Sequence, residues 1–380
     1  MRTLLLTGPG GAGTSTLSAA AAVRAARSGR RTVLLTRQPP PAGVEAVPGL
    51  TVLQVDPQAA LERLWAGRAD AVGSLLPQLT LPPASSVVPL PGSADLALLA
   101  ELARADADLA VVDAGPLESA VALVALPVTL RWWLDQLMPP GMRALGAVRT
   151  AAVASGVVRR GPVDAALSAV PAVEALLAGN RLADPATTAL VLVAPPRTSS
   201  GPALRAAATV LGLHRLRAAG VLSRVLPLDR GNEWTTRRAA EQEDTLIALA
   251  EVAPVHRVPE LSVTPTGAGE LAGLLDGFAP ETTGFPAPAP ERAEGGWQLS
   301  LPLPFADRGQ VQLTRWTDDL VLTVGGARRS VRLDPLLRRC EVTGGRLAAA
   351  GTAGARLQVG FRPDPQLWPA DLLSAERRTS

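Results

Sequence analysis

The sequence contains no lysine, no tyrosine and a single cysteine. All 37 basic residues are therefore arginine; they stand against 34 acidic residues, and the formal net charge is +3. One cysteine cannot form an intrachain disulfide, so we expect a cytoplasmic protein, either free or peripheral to a membrane. A net charge this small, with no dense basic run, argues against nucleic acid as a partner.

Two further scarcities narrow the range of functions. No run of 18 or more uninterrupted apolar residues occurs, so we expect no integral membrane segment. His214, His256 and Cys340 are too few and too scattered for a site that binds soft metals, which makes coupling to metalloid transport the weakest functional class. We interpret Cys340 as a half-buried structural residue.

Short apolar segments alternate with helical patterns over residues 1–280. Near-continuous apolar strands separated by helices predict an α/β fold, with a parallel sheet covered on both faces. The alternation stops over about residues 128–184, where the pattern is helical throughout and predicts a helical insert beside the sheet. The strands of this domain are predicted at 2–8, 32–37, 51–56, 109–113, 187–194, 219–226 and 254–258.

The C-terminal part has a different pattern. Residues 281–295 are rich in proline, alanine and glutamate and predict a linker. Short strands separated by turns then predict a small all-β sandwich of two sheets over 296–363, with Trp297 and Trp316 in its core. We expect a loosely ordered tail over 364–380.

A glycine-rich segment follows the first predicted strand and opens the first predicted helix. Its G-x4-G-x-S spacing is that of a phosphate-binding P-loop, in which backbone N–H groups and the helix N-terminus form a concave anion site. Thr14 occupies the position of the lysine, although Ser15 or Thr16 still offers a hydroxyl to Mg²⁺. A charge-assisted contact to phosphate contributes roughly 1.5–3 kcal/mol and a neutral hydroxyl about half as much. A glycine-rich turn that binds nothing would have the same pattern. The segment reads Gly8-Pro9-Gly10-Gly11-Ala12-Gly13-Thr14-Ser15-Thr16.

Four segments in order carry a family resemblance: 9–16, 36–39, 113–127 and 223–227. They are similar to the loop K-G-G-x-G-K-T-T, to switch I, to switch II and to the strand-end N-R-V-L-P of the arsenical-pump (ArsA) and tail-anchored-protein targeting ATPases, a deviant-Walker branch of P-loop NTPases. The match to switch II has no gaps. The C-terminal domain resembles the small-heat-shock (α-crystallin)-like domain of some bacterial members.

The resemblance implies Mg-ATP as the cofactor, bound weakly or lost. Asp113 and Ser15 would hold Mg²⁺, although Asp113 would serve equally well as a strand-end residue that caps the next turn. Gln38 stands where the family has its water-positioning aspartate, and Arg37 is a candidate substitute cation. The nucleotide-binding positions implied by the resemblance are Gly8, Gly10, Gly11, Gly13, Thr14, Ser15, Thr16, Ser223 and Arg224.

In the targeting ATPases, the region after switch II builds a groove for a hydrophobic client helix. The corresponding hypothesis here is that Trp133, Leu137, Met138 and Met142 line an apolar surface for a client or partner. The alternative is that these residues pack the helical insert onto the sheet.

Two functions follow from the resemblance and its departures. The first is a degenerate ArsA-type homologue, a pseudo-ATPase that acts as a protein-binding or chaperone-like partner, either as a homodimer or in a heterodimer with a complete paralogue. Phosphoryl transfer depends on positioning and charge neutralisation, so the missing lysines and switch aspartate predict a rate lower by several orders of magnitude. The alternative is a slow Mg-ATP-hydrolysing enzyme that uses backbone amides and Arg37.

Overall fold

The computed structural model describes residues 1–63, 65–66, 82–89, 91–157, 162–182, 184–229, 231–265 and 267–368. Its larger part is built on a seven-stranded, all-parallel sheet. The strands are β1 (Arg2–Gly8), β2 (Thr32–Thr36), β3 (Leu50–Gln54), β4 (Leu109–Pro116), β5 (Thr188–Ala194), β6 (Ala218–Val225) and β7 (Val255–Pro259). Their order in the sheet is β3-β2-β4-β1-β5-β6-β7. This sheet confirms the predicted α/β class.

Helices cover both faces of this sheet and create two separate cores. The helices are α1 (Thr14–Arg27), α2 (Ser93–Arg104), α3 (Leu117–Leu137), α4 (Pro140–Ala154), α5 (Pro162–Gly179), α6 (Ser200–Leu213), α7 (Glu233–Ala250) and α8 (Ala268–Gly273). One core includes residues of α2, α3 and α6, and the other includes residues of α1 and α8. The central strands are therefore continuous apolar runs, and all seven residues of β5 are buried.

The helical insert begins differently from the prediction. Helix α3 starts at Leu117 and runs without a break through Pro127, so no boundary falls at residue 128. Its first half is a core helix with Leu123 and Val124 fully buried, and its second half packs with α5 around Leu134. Among the described residues α3 is the one helix long and apolar enough to cross a membrane, by length and composition alone.

The C-terminal part contains two antiparallel sheets, which matches the predicted small all-β architecture. The elements are β8 (Pro290–Ala293), β9 (Gly296–Pro302), β10 (Gln312–Trp316), β11 (Asp319–Val324), β12 (Ala327–Arg332), α9 (Pro335–Arg338), β13 (Cys340–Ala348) and β14 (Arg356–Pro363). The strand orders are β10-β11-β12 and β13-β14-β9-β8. One apolar core lies between the two sheets and includes Trp297, Leu320 and Phe361.

Several details of this part differ from the sequence predictions. Trp316 is 58% exposed and outside the core, because the alternation of β10 turns Leu313 and Arg315 inward instead. The predicted linker contains strand β8, which pairs with β9. Cys340 is fully rather than half buried. In the predicted tail, Trp368 stacks on Trp297 with ring centroids 5.2 Å apart, whereas residues 369–380 lie outside the described part of the chain.

The two parts meet along helix α6. Leu213, the last residue of α6, belongs to the core of the β-sheet domain. Thr209 Oγ1 donates to the carbonyl oxygen of Pro304 at 2.5 Å, and Phe285 N donates to Arg215 O at 2.9 Å. The predicted linker is therefore docked against the α/β domain at this point.

Candidate functional site

The glycine loop lies at the carboxyl end of β1, in the middle of the sheet. A Cβ at Gly8 would lie 2.0 Å from Val193 O, so only glycine allows the loop to cross the end of β5. Gly11 (φ 77°) and Gly13 (φ 92°) adopt left-handed conformations, and α1 begins directly after Gly13. This strand–loop–helix geometry can present backbone N–H groups and the N-terminus of α1 to an anion.

The side chains at the loop are neutral. Thr14, in the lysine position, is buried, and Ser15 and Thr16 are half-buried. Because the sequence contains no lysine, the polar side chains of the loop offer an anion only hydroxyl groups.

Asp113 lies within β4, beside β1, and is 3% exposed. Its Oδ2 accepts a hydrogen bond from Thr36 Oγ1 at 3.0 Å, and its Oδ1 accepts one from Gly115 N, in the same strand, at 3.1 Å. Thr7 Oγ1 donates to Gly115 O at 2.9 Å, so polar groups of β2, β4 and β1 form one network. Because β4 continues to Pro116 and α3 follows at once, these bonds of Asp113 do not cap a turn after the strand. The second lone pair of each carboxylate oxygen remains suited to water-mediated Mg²⁺ binding.

Arg37 and Gln38, which follow β2, make hydrogen bonds within the fold. Gln38 is exposed, and its backbone N–H donates to Thr36 Oγ1 at 3.0 Å. The guanidinium of Arg37 forms an ion pair with Asp95 of α2. Within the described residues, Asp95 is the hydrogen-bond partner of the Arg37 side chain. The predicted substitute cation is therefore held against helix α2.

A different arginine lies on the glycine loop. Arg224, at the end of β6, donates from Nη2 to Gly11 O at 3.0 Å. Its Nη1 lies 3.2 Å from Glu260 Oε1, and its Nε lies 3.1 Å from where a Cβ on Gly13 would be. The resemblance implied that Arg224 is a nucleotide-binding residue; its contact with the loop was not foreseen, because it depends on strand order.

Ser223, the residue that precedes it, is fully buried between β5 and β7. Its Oγ has no hydrogen-bond partner within the described part of the chain. The nucleotide-binding role that the resemblance implies for Ser223 therefore stays a prediction.

The four residues of the hypothetical client surface have different environments. Met138 packs against the small core of the insert, whereas Trp133, Leu137 and Met142 are exposed. Leu145 and Val148 continue the exposed apolar face along α4, three and six residues after Met142. Leu137, Met142, Leu145 and Val148 together with Trp133 are called the apolar face below.

The parallel sheet, the glycine loop on its central strand and Asp113 on the adjacent strand define a P-loop NTPase-type α/β protein. The family model described as "Anion-transporting ATPase" matches residues 1–273, and the model described as "HSP20-like domain found in ArsA" matches residues 294–361. The chain therefore belongs to the ArsA-type ATPase family and has the HSP20-like domain.

Two relatives are similar along almost the whole chain, and an arsenical pump-driving ATPase is similar over a fifth of it. An uncharacterised protein of Streptomyces coelicolor is 38% identical over 97% of this chain and 99% of its own length. A protein of Mycobacterium tuberculosis is 30% identical over 97% of both chains. The arsenical pump-driving ATPase of Escherichia coli is 33% identical over 20% of this chain and 15% of its own length.

Proposed function

We propose that this chain is a pseudo-ATPase of the ArsA-type family that acts through binding other proteins. The observation that carries the proposal is the chemistry at three loop and switch positions, where neutral Pro9, Thr14 and Gln38 replace two lysines and an aspartate of the family pattern. These groups neutralise the phosphates and position the attacking water, so their loss removes most of what accelerates phosphoryl transfer.

The test is phosphate release from Mg-ATP by the purified full chain. We expect no release above background from the wild type, whereas typical enzymes turn over at roughly 1–10³ s⁻¹. The informative comparison is a variant of this chain that carries Pro9→Lys, Thr14→Lys and Gln38→Asp together. A gain of turnover in this variant would localise the defect to these three positions. A wild-type rate in the enzymatic range contradicts the proposal.

The apolar face supports the protein-binding role. Met142, Leu145 and Val148 are 57%, 72% and 69% exposed and form an apolar stripe at helical spacing along α4, which begins shortly after the exposed Leu137 at the end of α3. An amphipathic or apolar helix of another protein is the partner that such a stripe fits. The proposal also includes dimerisation, either with itself or with a complete relative, as the family resemblance implies.

This role is tested with a fluorescent apolar helical peptide. The double variant Met142→Glu, Leu145→Glu should lose peptide binding, because it places two charges in the stripe. Val263→Glu is the control, since Val263 is 71% exposed but lies beyond β7. Equal binding by both variants would remove this face from the proposal. Sedimentation of the purified chain with and without nucleotide tests the dimer, and a monomer under both conditions excludes the homodimer.

A slow Mg-ATPase is the second candidate function. It is supported by Asp113 and Ser15, which keep oxygen ligands suited to Mg²⁺ near the loop. A slow, Mg²⁺-dependent release of phosphate that is abolished in Asp113→Asn would favour this candidate over the pseudo-ATPase.

A further inference from the structure

Arg224 reaches the glycine loop from a strand that is not adjacent to it. Strand β5 lies between β1 and β6, so the end of β6 is about 10 Å from the end of β1 at the usual strand spacing. A long side chain is needed to cover that distance. Arg224 does so and contacts the loop at Gly11 and Gly13.

Glu260 is placed beside Arg224 by the register of the last two strands. Arg224 pairs with Val258 and Val225 with Pro259, and Glu260 N donates to Val225 O at 2.9 Å. The first residue after β7 is therefore held at the end of β6, where its carboxylate neutralises the guanidinium.

The ion pair between Arg224 and Glu260 is weak enough for another anion to replace Glu260. Both side chains are about one-third exposed, at 32% and 33%, and exposed ion pairs are held weakly. The Nε of Arg224 is shielded from solvent and has no hydrogen-bond partner within the described residues. A phosphate oxygen at the loop would offer this guanidinium a charged acceptor in place of a backbone carbonyl.

We propose that Arg224 is the cation that binds phosphate oxygens at the glycine loop, in place of the missing lysines. Glu260 is its competing anion and holds the guanidinium when no phosphate is bound. The ligand class is a phosphate chain, which a nucleoside triphosphate, a nucleoside diphosphate or free pyrophosphate can supply. The inference concerns the loop of the proposed pseudo-ATPase, but it depends on binding alone and not on the absence of hydrolysis.

The test is calorimetric titration of Mg-ATP, Mg-ADP and pyrophosphate into the full chain. Arg224→Met should weaken binding of the phosphate ligand by about tenfold or more, because a charge-assisted contact is lost. Arg224→Lys should recover part of the affinity, since it restores the charge without the planar fork. Glu260→Gln should tighten binding by about threefold, because it removes the competing carboxylate while keeping the shape.

A matched control loses the same charge elsewhere. Arg257 lies on β7 and pairs with exposed Glu243. Arg257→Met should bind within about twofold of the wild type. Circular dichroism on each variant confirms that the fold is kept.

The outcomes separate the ligands and the two proposals. Binding of ATP and ADP without pyrophosphate assigns the site to nucleotides, and binding of all three assigns it to the phosphate chain. Unchanged or tighter binding by Arg224→Met overturns the inference, and so does a wild type that binds none of the three at millimolar concentration. That last result leaves the pseudo-ATPase proposal standing, whereas rapid ATP hydrolysis would end the pseudo-ATPase proposal and leave the Arg224 affinities interpretable.

Discussion

The loop edge of the sheet and the junction of the two domains both depend on an arginine, but in opposite ways. At the loop edge, Arg224 is half-buried and paired with Glu260. At the junction, the guanidinium of Arg329 donates to Leu213 O at the C-terminal end of α6, and no carboxylate pairs with it within the described residues. At the loop edge, the arginine is a charged group whose partner can be replaced. At the junction, the arginine is a fixed structural group.

The physical difference is the partner that each guanidinium has. Carbonyl groups at the end of a helix carry partial negative charge, so they stabilise a buried cation without an acid. Burial first and the neighbouring Arg215 second lower the pKa of Arg329 to about 10. Beside it, His214 is 2% exposed, and burial together with the charge of Arg329 lowers its pKa to about 3. Such a junction excludes further positive charge, whereas the loop edge can accept an anion.

The largest expected effect is at the loop edge. Gly8→Ala places a Cβ 2.0 Å from Val193 O, where only backbone can move, so we expect a loss of about 3 kcal/mol or more in the free energy of unfolding. Gly10→Ala, with no atom within 4 Å of the new Cβ, should stay within about 0.5 kcal/mol of wild type. Urea unfolding measures both, and similar stabilities for the two variants would refute the close crossing of β5.

The second prediction concerns pH at the junction. The pKa of His214 is about 3 in the folded state against 6.5 for the free side chain, so the unfolded state takes up the proton first as pH falls. His214 therefore lowers the free energy of unfolding by about 2–3 kcal/mol between pH 7 and pH 4.5, calculated at 1.36 kcal/mol per pH unit.

The measurement is urea unfolding of the wild type and of His214→Leu at both pH values. On acidification from pH 7 to pH 4.5, the variant should lose about 2–3 kcal/mol less free energy of unfolding than the wild type loses. Parallel losses in the two proteins would show that His214 is not buried in its neutral form.

The third prediction tests the packing of α6 on the β-sheet domain. A Cβ at Gly212 would lie 2.5 Å from Pro304 Cδ, and the proline ring cannot rotate away, so Gly212→Ala should lose about 1–2 kcal/mol. Gly201→Ala on the same helix meets only Ala248 Cβ at 3.5 Å and should gain up to about 1 kcal/mol from helix propensity. Thermal unfolding in which both variants move in the same direction would contradict this domain arrangement.

The smallest expected effect distinguishes a ligand-binding arginine from a structural one. Arg224→Met should change the free energy of unfolding by less than about 1 kcal/mol, because its ion pair is one-third exposed. Chemical denaturation without nucleotide gives this value. A large loss would mean that Arg224 holds the loop in place, as Arg329 holds the junction.

The local sequence pattern was sufficient to predict the main architecture and to show that the glycine loop lacks its lysines. Near-continuous apolar strands between helices predicted the parallel sheet, and the strand–glycine loop–helix order located the loop. Because side chains alternate in strands, the pattern also predicted a small all-β domain. The same alternation was misread at Trp316, where the inward positions of β10 belong to Leu313 and Arg315.

The sequence alone determined the fold class, the family and the neutral side chains at Pro9, Thr14 and Gln38, since each of these depends on residue identity and local order. Only the tertiary structure decided which arginine lies at the loop. Arg37 lies next to Gln38 of switch I and was the predicted substitute cation, yet it pairs with Asp95 of α2. Arg224 is more than 200 residues from the loop in sequence and nevertheless contacts it. The physical reason is strand order, because the sheet brings together the ends of β1, β5 and β6, and no local pattern encodes which strands become neighbours.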